Sequence, residues 1–166
     1  MIKIVVAMER EAQSLRDAGC NRPIHICGIG ATDLPADLTS EDTILNIGYA
    51  GSLALKVGTI CIPTGVYDKR NDWFNTLKKE VGNDSALCVT EEKFVEGGDG
   101  NRYPANTVFD MELARIAELP HKHLVSFKIV SDNCNEKDCE AFNDAECWKK
   151  AWQQFLLWRA QNSIKW

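Results

Sequence analysis

No apolar run in this 166-residue chain approaches the roughly 20 residues needed to cross a bilayer, so a membrane span is not expected. Positive charge is not in excess either. Nineteen Lys and Arg against 24 Asp and Glu leave a formal charge of −5, and the basic residues are scattered rather than striped. That removes the electrostatic footprint of a protein that binds a nucleic acid polymer. Closely spaced metal-ligand pairs are missing. Cys134, Cys139 and Cys147 follow His121 and His123 with four and seven residues between the cysteines, whereas structural zinc sites usually pair ligands about two to four apart, so no metal is expected. The dinucleotide fingerprint is incomplete, because Asp33 stands where Gly28-Ile29-Gly30 needs a third glycine; no nicotinamide or other organic cofactor is expected. The opening Met1-Ile2-Lys3-Ile4-Val5-Val6-Ala7 is too short for a secretory apolar core plus cleavage site, which points to a cytoplasmic protein. Repeats and low-complexity linkers are absent, and 45% hydrophobic content over this length fits a single domain, residues 1–166.

What the chain does have is a series of apolar β-branched runs separated by helical patterns. Residues 2–7 predict a strand, and residues 9–18, with Ala12, Leu15 and Ala18 at helical spacing, predict a helix stopped by Gly19. Residues 24–27 and 43–47 predict strands that end in the glycine turns Gly28-Ile29-Gly30 and Gly48-Tyr49-Ala50-Gly51. Further strands are predicted over 58–63, 86–90 and 124–130, with a polar segment containing Trp73 and Phe74 between the first two. Residues 111–119 predict a helix ended by Pro120, and 144–161 a long amphipathic helix. Buried strands alternating with helices define an α/β domain with a largely parallel sheet and helices on both faces. Trp158 and Trp166 are equally compatible with core packing and with an exposed self-association patch. Seven cysteines are many, but the count is odd and Cys27, Cys61 and Cys88 lie inside apolar runs, as reduced, buried thiols do.

Three acidic segments follow apolar runs: Ala7-Met8-Glu9-Arg10-Glu11, Phe109-Asp110-Met111-Glu112 and Val130-Ser131-Asp132. Strand ends are where sites of open α/β sheets collect, and carboxylates gathered there permit acid/base chemistry. Each also has a plain structural reading. Glu11 in a first helical turn favours the helix dipole, Asp110 is a suitable N-cap for a helix starting at Met111, and Asp132 fits a turn. If the backbone is still extended after Phe109, Asp110 and Glu112 share a face; if the helix has begun, only one points inward. A carboxylate partly desolvated at that strand edge would have its protonated form favoured, the condition for a general acid.

Taken in order, these segments together with Asn46-Ile47-Gly48-Tyr49-Ala50-Gly51 and Lys56-Val57-Gly58-Thr59-Ile60 resemble the purine nucleoside phosphorylase/nucleosidase superfamily, particularly its methylthioadenosine/S-adenosylhomocysteine nucleosidase branch. The resemblance implies a three-layer α/β/α fold with a mixed, largely parallel central sheet. It also implies cleavage of the N-glycosidic bond of a purine nucleoside or related N-riboside through an oxocarbenium-like transition state. By that resemblance Glu11 orients or deprotonates the attacking water, and Asp132 protonates the leaving base with Ser131 holding it. Glu112 binds the ribose hydroxyls with Met111 packed on the sugar, and Phe94 and Val95 bind the base. The implied partners are a small-molecule nucleoside and a second copy in a homodimer.

The chain departs from the family in three places. It is shorter between Val66 and Ala86 and between Gly30 and Asp42, where Pro35 reduces a helix to a turn, and both changes predict a smaller, more open pocket. Tyr49 stands where the family carries a small Ser or Thr beside the phosphate or water position. A phenol there crowds out phosphate, and no arginine set is evident, Arg10 being the nearest by position and Arg70 lying in a shortened region. Hydrolysis is therefore expected over phosphorolysis, with a non-catalytic nucleoside- or base-binding protein as the third alternative.

Overall fold

The computed structural model describes residues 1–82, 85–97, 102–135 and 142–166. Its elements in chain order are β1 (Ile2–Val6), α1 (Glu9–Asp17), β2 (Ile24–Ile26), β3 (Thr43–Gly51), β4 (Ile60–Asp68), β5 (Trp73–Thr76), β6 (Ser85–Thr90), β7 (Thr107–Asp110), α2 (Leu113–Ala117), β8 (His123–Asp132) and α3 (Ala145–Gln161). The strands form one mixed sheet in the order β2-β1-β3-β7-β6-β4-β5, and β8 pairs with both β3 and β4. Five of the eight pairings among the described residues are parallel. Because β8 bridges β3 to β4, the path β3-β7-β6-β4-β8 closes on itself as a small barrel from which β1 and β2 extend.

Side chains along the strands alternate between two apolar layers, as the two-residue period requires. Ile4, Val6, Leu45, Ile47, Val125, Phe127 and Ile129 pack with Ala12 and Leu15 of α1 and with Trp148, Trp152, Phe155 and Trp158 of α3. Val5, Ile44, Cys88, Val108 and Val130 pack with Leu113, Ala114, Ile116 and Ala117 of α2. Helices thus cover both faces, giving the three-layer α/β/α arrangement, and this is why the strands read as continuous apolar runs. Trp158 lies in the core, and Trp166 is half-buried, with the guanidinium carbons of Arg22 and Arg159 at 4.6 and 4.8 Å from its ring. Cys20, Cys27, Cys61, Cys88, Cys134 and Cys147 are free thiols, and only Cys147 is not fully buried. Cys139, weighed above as a metal ligand, lies outside the described residues. Among the described residues no helix is long and apolar enough to cross a membrane.

Several sequence expectations are corrected. Gly48-Tyr49-Ala50-Gly51 is not a turn, because β3 continues through it to Gly51. The fourth strand starts at Ile60 and runs on to Asp68, and Trp73–Thr76 is an edge strand that returns antiparallel along it. The helix expected from Met111 starts at Leu113 and is only five residues long; Glu112 occupies the N-cap position rather than Asp110. No helix follows Gly30, in line with the turn expected from Pro35.

Candidate active site

The carboxyl ends of the strands converge. The last residue of β3, Gly51, pairs with Phe109 near the end of β7, so two strands that run in opposite directions meet tip to tip. At this junction opens a cleft. All eight side chains assigned from the sequence line it: Glu11, Tyr49, Phe94, Val95, Met111, Glu112, Ser131 and Asp132. Asp110, which the sequence also suits to a helix cap, lines it as well, together with Arg10 and Lys93.

Glu11 is buried and held by three backbone N–H donors. Ala7 and Met8 donate to its Oε2 at 2.7 and 3.1 Å, closing the start of α1, and Tyr49 donates to Oε1 at 2.9 Å. The bonds that start the helix also fix the carboxylate at the cleft wall. Burial pushes the Glu11 carboxyl above its ordinary value, and the Tyr49 amide, the Lys128 charge and the other amides offset this only partly.

Asp132 reaches the cleft through a bulge. The register of β8 on β3 passes from Val130 opposite Ala50 to Asp132 opposite Gly51, so Ser131 is an extra residue that re-aims the strand end. Asp132 is buried. Its Oδ2 accepts a bond from the Ser131 hydroxyl at 2.8 Å, and its Oδ1 one from the Cys134 amide at 2.8 Å.

The glycines of β3 make room for these acids. A Cβ at Gly51 would lie 2.9 Å from Asp132 Oδ1, and one at Gly48 would lie 3.0 Å from Glu11 Oε1 and 3.6 Å from Lys128 Nζ. Asp132 cannot swing aside without losing its bond to Cys134, so Gly51→Ala is expected to displace it. The predicted result is a loss of turnover on the order of 10²-fold with an unchanged far-UV circular dichroism spectrum.

Lys128 is the residue that sequence reading missed. It is 1% exposed on β8, and its Nζ lies 2.8 Å from Asp110 Oδ2. Asp110 also accepts bonds from the Thr90 hydroxyl at 2.7 Å and from the Leu113 amide at 2.8 Å, so it starts α2 from two residues before the cap position. Burial alone would raise the Asp110 carboxyl, but Lys128 and these donors hold it below its ordinary value. Burial likewise opposes the Lys128 charge, and Asp110 and its neighbours overcome that and raise its pKa. The detectable signal was a lone lysine inside Leu124-Val125-Ser126-Phe127-Lys128-Ile129-Val130, since a buried ammonium requires a buried carboxylate.

Glu112 bends back toward β2, its Oε1 accepting from the Gly30 amide at 3.0 Å and its Oε2 from the Met111 amide at 3.3 Å. Burial first and the Asp110 charge second push its carboxyl up to about 7, against the pull of Lys128 and of Gly30. Its folded pKa exceeds the unfolded value, so its contribution to stability is complete below about pH 4.5 and is lost as pH rises through about 7. Glu112→Gln is expected to flatten that part of the stability–pH curve, read by urea unfolding at pH 5 and pH 8.

Tyr49 lines the cleft with its hydroxyl bonded to another element. It donates to Asp144 Oδ2 at the start of α3, and Trp148 Nε1 donates to the same oxygen at 2.8 Å. Arg70 is committed elsewhere: its Nε and one terminal nitrogen clamp the buried Asp68 at 2.7 and 2.8 Å.

This three-layer domain, built on a closed mixed sheet with an acidic cleft at the strand ends, shares its fold with solved structures of nucleosidases. Among solved structures it is similar to the Chlamydia trachomatis MTAN bound to MTA, at 14% identity and a TM-score of 0.75, over 99% of this chain and 98% of that one. It is also similar to the 5′-methylthioadenosine/S-adenosylhomocysteine nucleosidase of S. pneumoniae with a transition-state inhibitor, at 18% identity and a TM-score of 0.70, over 95% and 97% of the two chains. The futalosine hydrolase of Helicobacter pylori aligns over 97% of both chains, at 14% identity and a TM-score of 0.67. No protein-family model and no curated protein matches the sequence.

Proposed function

We propose that this protein is a nucleosidase that hydrolyses the N-glycosidic bond of a purine nucleoside or related N-riboside. The observation that carries the reading is the convergence of Glu11, Glu112 and Asp132, from three separate segments, on one cleft. The reaction needs a proton for the leaving base, negative charge near a cationic sugar and an oriented water. Asp132, steadied by Ser131 and the Cys134 amide, gives its proton to the base. Glu11, fixed by its three amides, orients the water and takes its proton. Glu112 binds the ribose hydroxyls beside Met111, and Phe94 and Val95 hold the base. Superfamily neighbours that are nucleosidases or a hydrolase support the reaction class.

Hydrolysis is preferred to phosphorolysis because the cleft offers a phosphate dianion little. Among the described residues Arg10 and Lys93 are its only cationic lining side chains, and Arg70 is neutralised by Asp68. The test is to incubate the protein with adenosine, inosine and methylthioadenosine, with and without phosphate. Release of base and free sugar without phosphate is expected. Sugar 1-phosphate formed only with added phosphate would establish a phosphorylase, and ligand-dependent thermal stabilisation without product a binding protein. Because Glu112 titrates near 7 and is needed ionised against the developing cation, kcat/KM is expected to rise with pH through about 7. The Glu112→Gln variant should lack that limb.

A further inference from the structure

Phe109 belongs to two cavities. It lines the acidic cleft, and it also lines a second pocket formed with Leu53, Ala54, Tyr103, Pro104, Ala105 and Thr107. Among the described residues it is the only one shared by both. Phe109 is buried, and Tyr103 packs edge-on against its ring, with centroids 5.6 Å apart and planes at 69°. One braced aromatic ring therefore separates the cleft from the second pocket. Thr107 lies on the same face of β7, two residues before Phe109, and its buried hydroxyl has no hydrogen-bond partner among the described residues. The chain's own side chains thus leave the wall of that pocket incompletely satisfied. Ala54, Pro104 and Ala105 are exposed, so the pocket opens to solvent beyond the ring.

This partition stands on the base side of the proposed reaction. Gly51 of β3 pairs with Phe109 on one flank and with Asp132 on the other, so only a glycine lies between the ring and the acid assigned to the leaving base. Val95, also assigned to the base, and Cys134, whose amide binds Asp132, pack in one apolar cluster with Phe109, Leu53 and Tyr103. A purine that meets Asp132 at an imidazole nitrogen carries the substituent of its six-position on that same edge. We propose that Phe109 determines specificity by limiting the substrate to bases without a bulky group on this edge, and that the pocket behind the ring takes an apolar substituent once the ring is removed. The assignment of a base side rests on the nucleosidase reading. The brace by Tyr103 and the burial of the ring explain why Phe109 does not simply swing aside for a larger base.

The experiment compares kcat/KM for adenosine and for 6-benzylaminopurine riboside in wild type, Phe109→Leu, Phe109→Ala and a double variant that adds Ala54→Trp to Phe109→Ala. Wild type is expected to prefer adenosine by a factor on the order of 10 to 100, the cost of forcing extra carbon into packed space. Phe109→Ala should remove most of that preference, and Phe109→Leu part of it. Ala54 is exposed, so the fold tolerates a tryptophan there that refills the pocket from its rim, and the double variant should regain the preference for adenosine. Where Phe109→Ala fails to fold, Phe109→Leu carries the same comparison, alone and with Ala54→Trp. Equal use of the two substrates by wild type overturns the proposal, and so does a preference that both substitutions of Phe109 leave unchanged. A relaxed preference that Ala54→Trp does not restore also overturns it, by assigning the change to a loosened cleft rather than to the pocket. If no protein cleaves either substrate, the nucleosidase reading fails by itself. Dissociation constants for adenine and 6-benzylaminopurine, read by calorimetry in the same proteins, then decide the Phe109 assignment separately.

Discussion

Asp132→Asn is expected to lower base release by a factor on the order of 10² to 10⁴ while the protein stays folded. The amide is isosteric and keeps an oxygen to accept the Cys134 amide bond at 2.8 Å. What it cannot do is deliver a proton to a departing base, whose negative charge must otherwise be expelled unneutralised. The bulge at Ser131 makes the effect local, since it sets the backbone direction independently of the side chain that follows. The measurement is single-turnover base release with unfolding monitored alongside. Undiminished release in Asp132→Asn would remove this residue from the mechanism; a large loss accompanied by unfolding would make its role structural.

Lys128→Met is expected to destabilise the fold by about 3–5 kcal/mol, the usual cost of leaving one partner of a buried pair uncompensated. Methionine fills similar space, so the cost arises from Asp110, which loses its ammonium at 2.8 Å while keeping the Thr90 hydroxyl and the Leu113 amide. Asp110 has a depressed pKa in the folded protein, so its contribution is present above its unfolded value and is lost as pH falls through the folded one. Removing Lys128 removes that depression. The penalty of Lys128→Met should therefore be largest near neutral pH and shrink in acid, and adding Asp110→Asn should recover much of it. Urea unfolding of both variants at pH 4.5 and pH 7.5 reads this directly. A single-variant penalty that is the same at both pH values would contradict the pairing.

The layers of the fold were legible because both sheet faces are covered, and doubly covered strands leave continuous apolar runs such as Ile4-Val5-Val6 and Leu124-Val125. The edge strand Trp73–Thr76 was not, because four residues with alternate exposure leave no apolar run, and it forms by pairing with distant β4. Gly48 and Gly51 were misread for a physical reason. Glycine in a sequence signals a turn as readily as it signals close approach, and only the tertiary position of Glu11, Lys128 and Asp132 shows that these two stand in a strand to admit side chains. The bulge that aims Asp132 has no local signature, since it is a register difference between β3 and β8. The side chains of the cleft were identifiable as types in an order. The hydroxyl of Tyr49 and the ammonium of Lys128 were not placed, because the first points to a helix 95 residues away in sequence and the second is hidden inside a strand.

The most direct test of the nucleosidase account is release of purine base from nucleosides in phosphate-free buffer, followed for wild type beside Glu11→Gln and Asp132→Asn prepared identically. The account predicts stoichiometric base and free sugar from wild type, with both variants slowed by orders of magnitude. Equal rates in all three proteins, or no release from wild type under any condition, would contradict it.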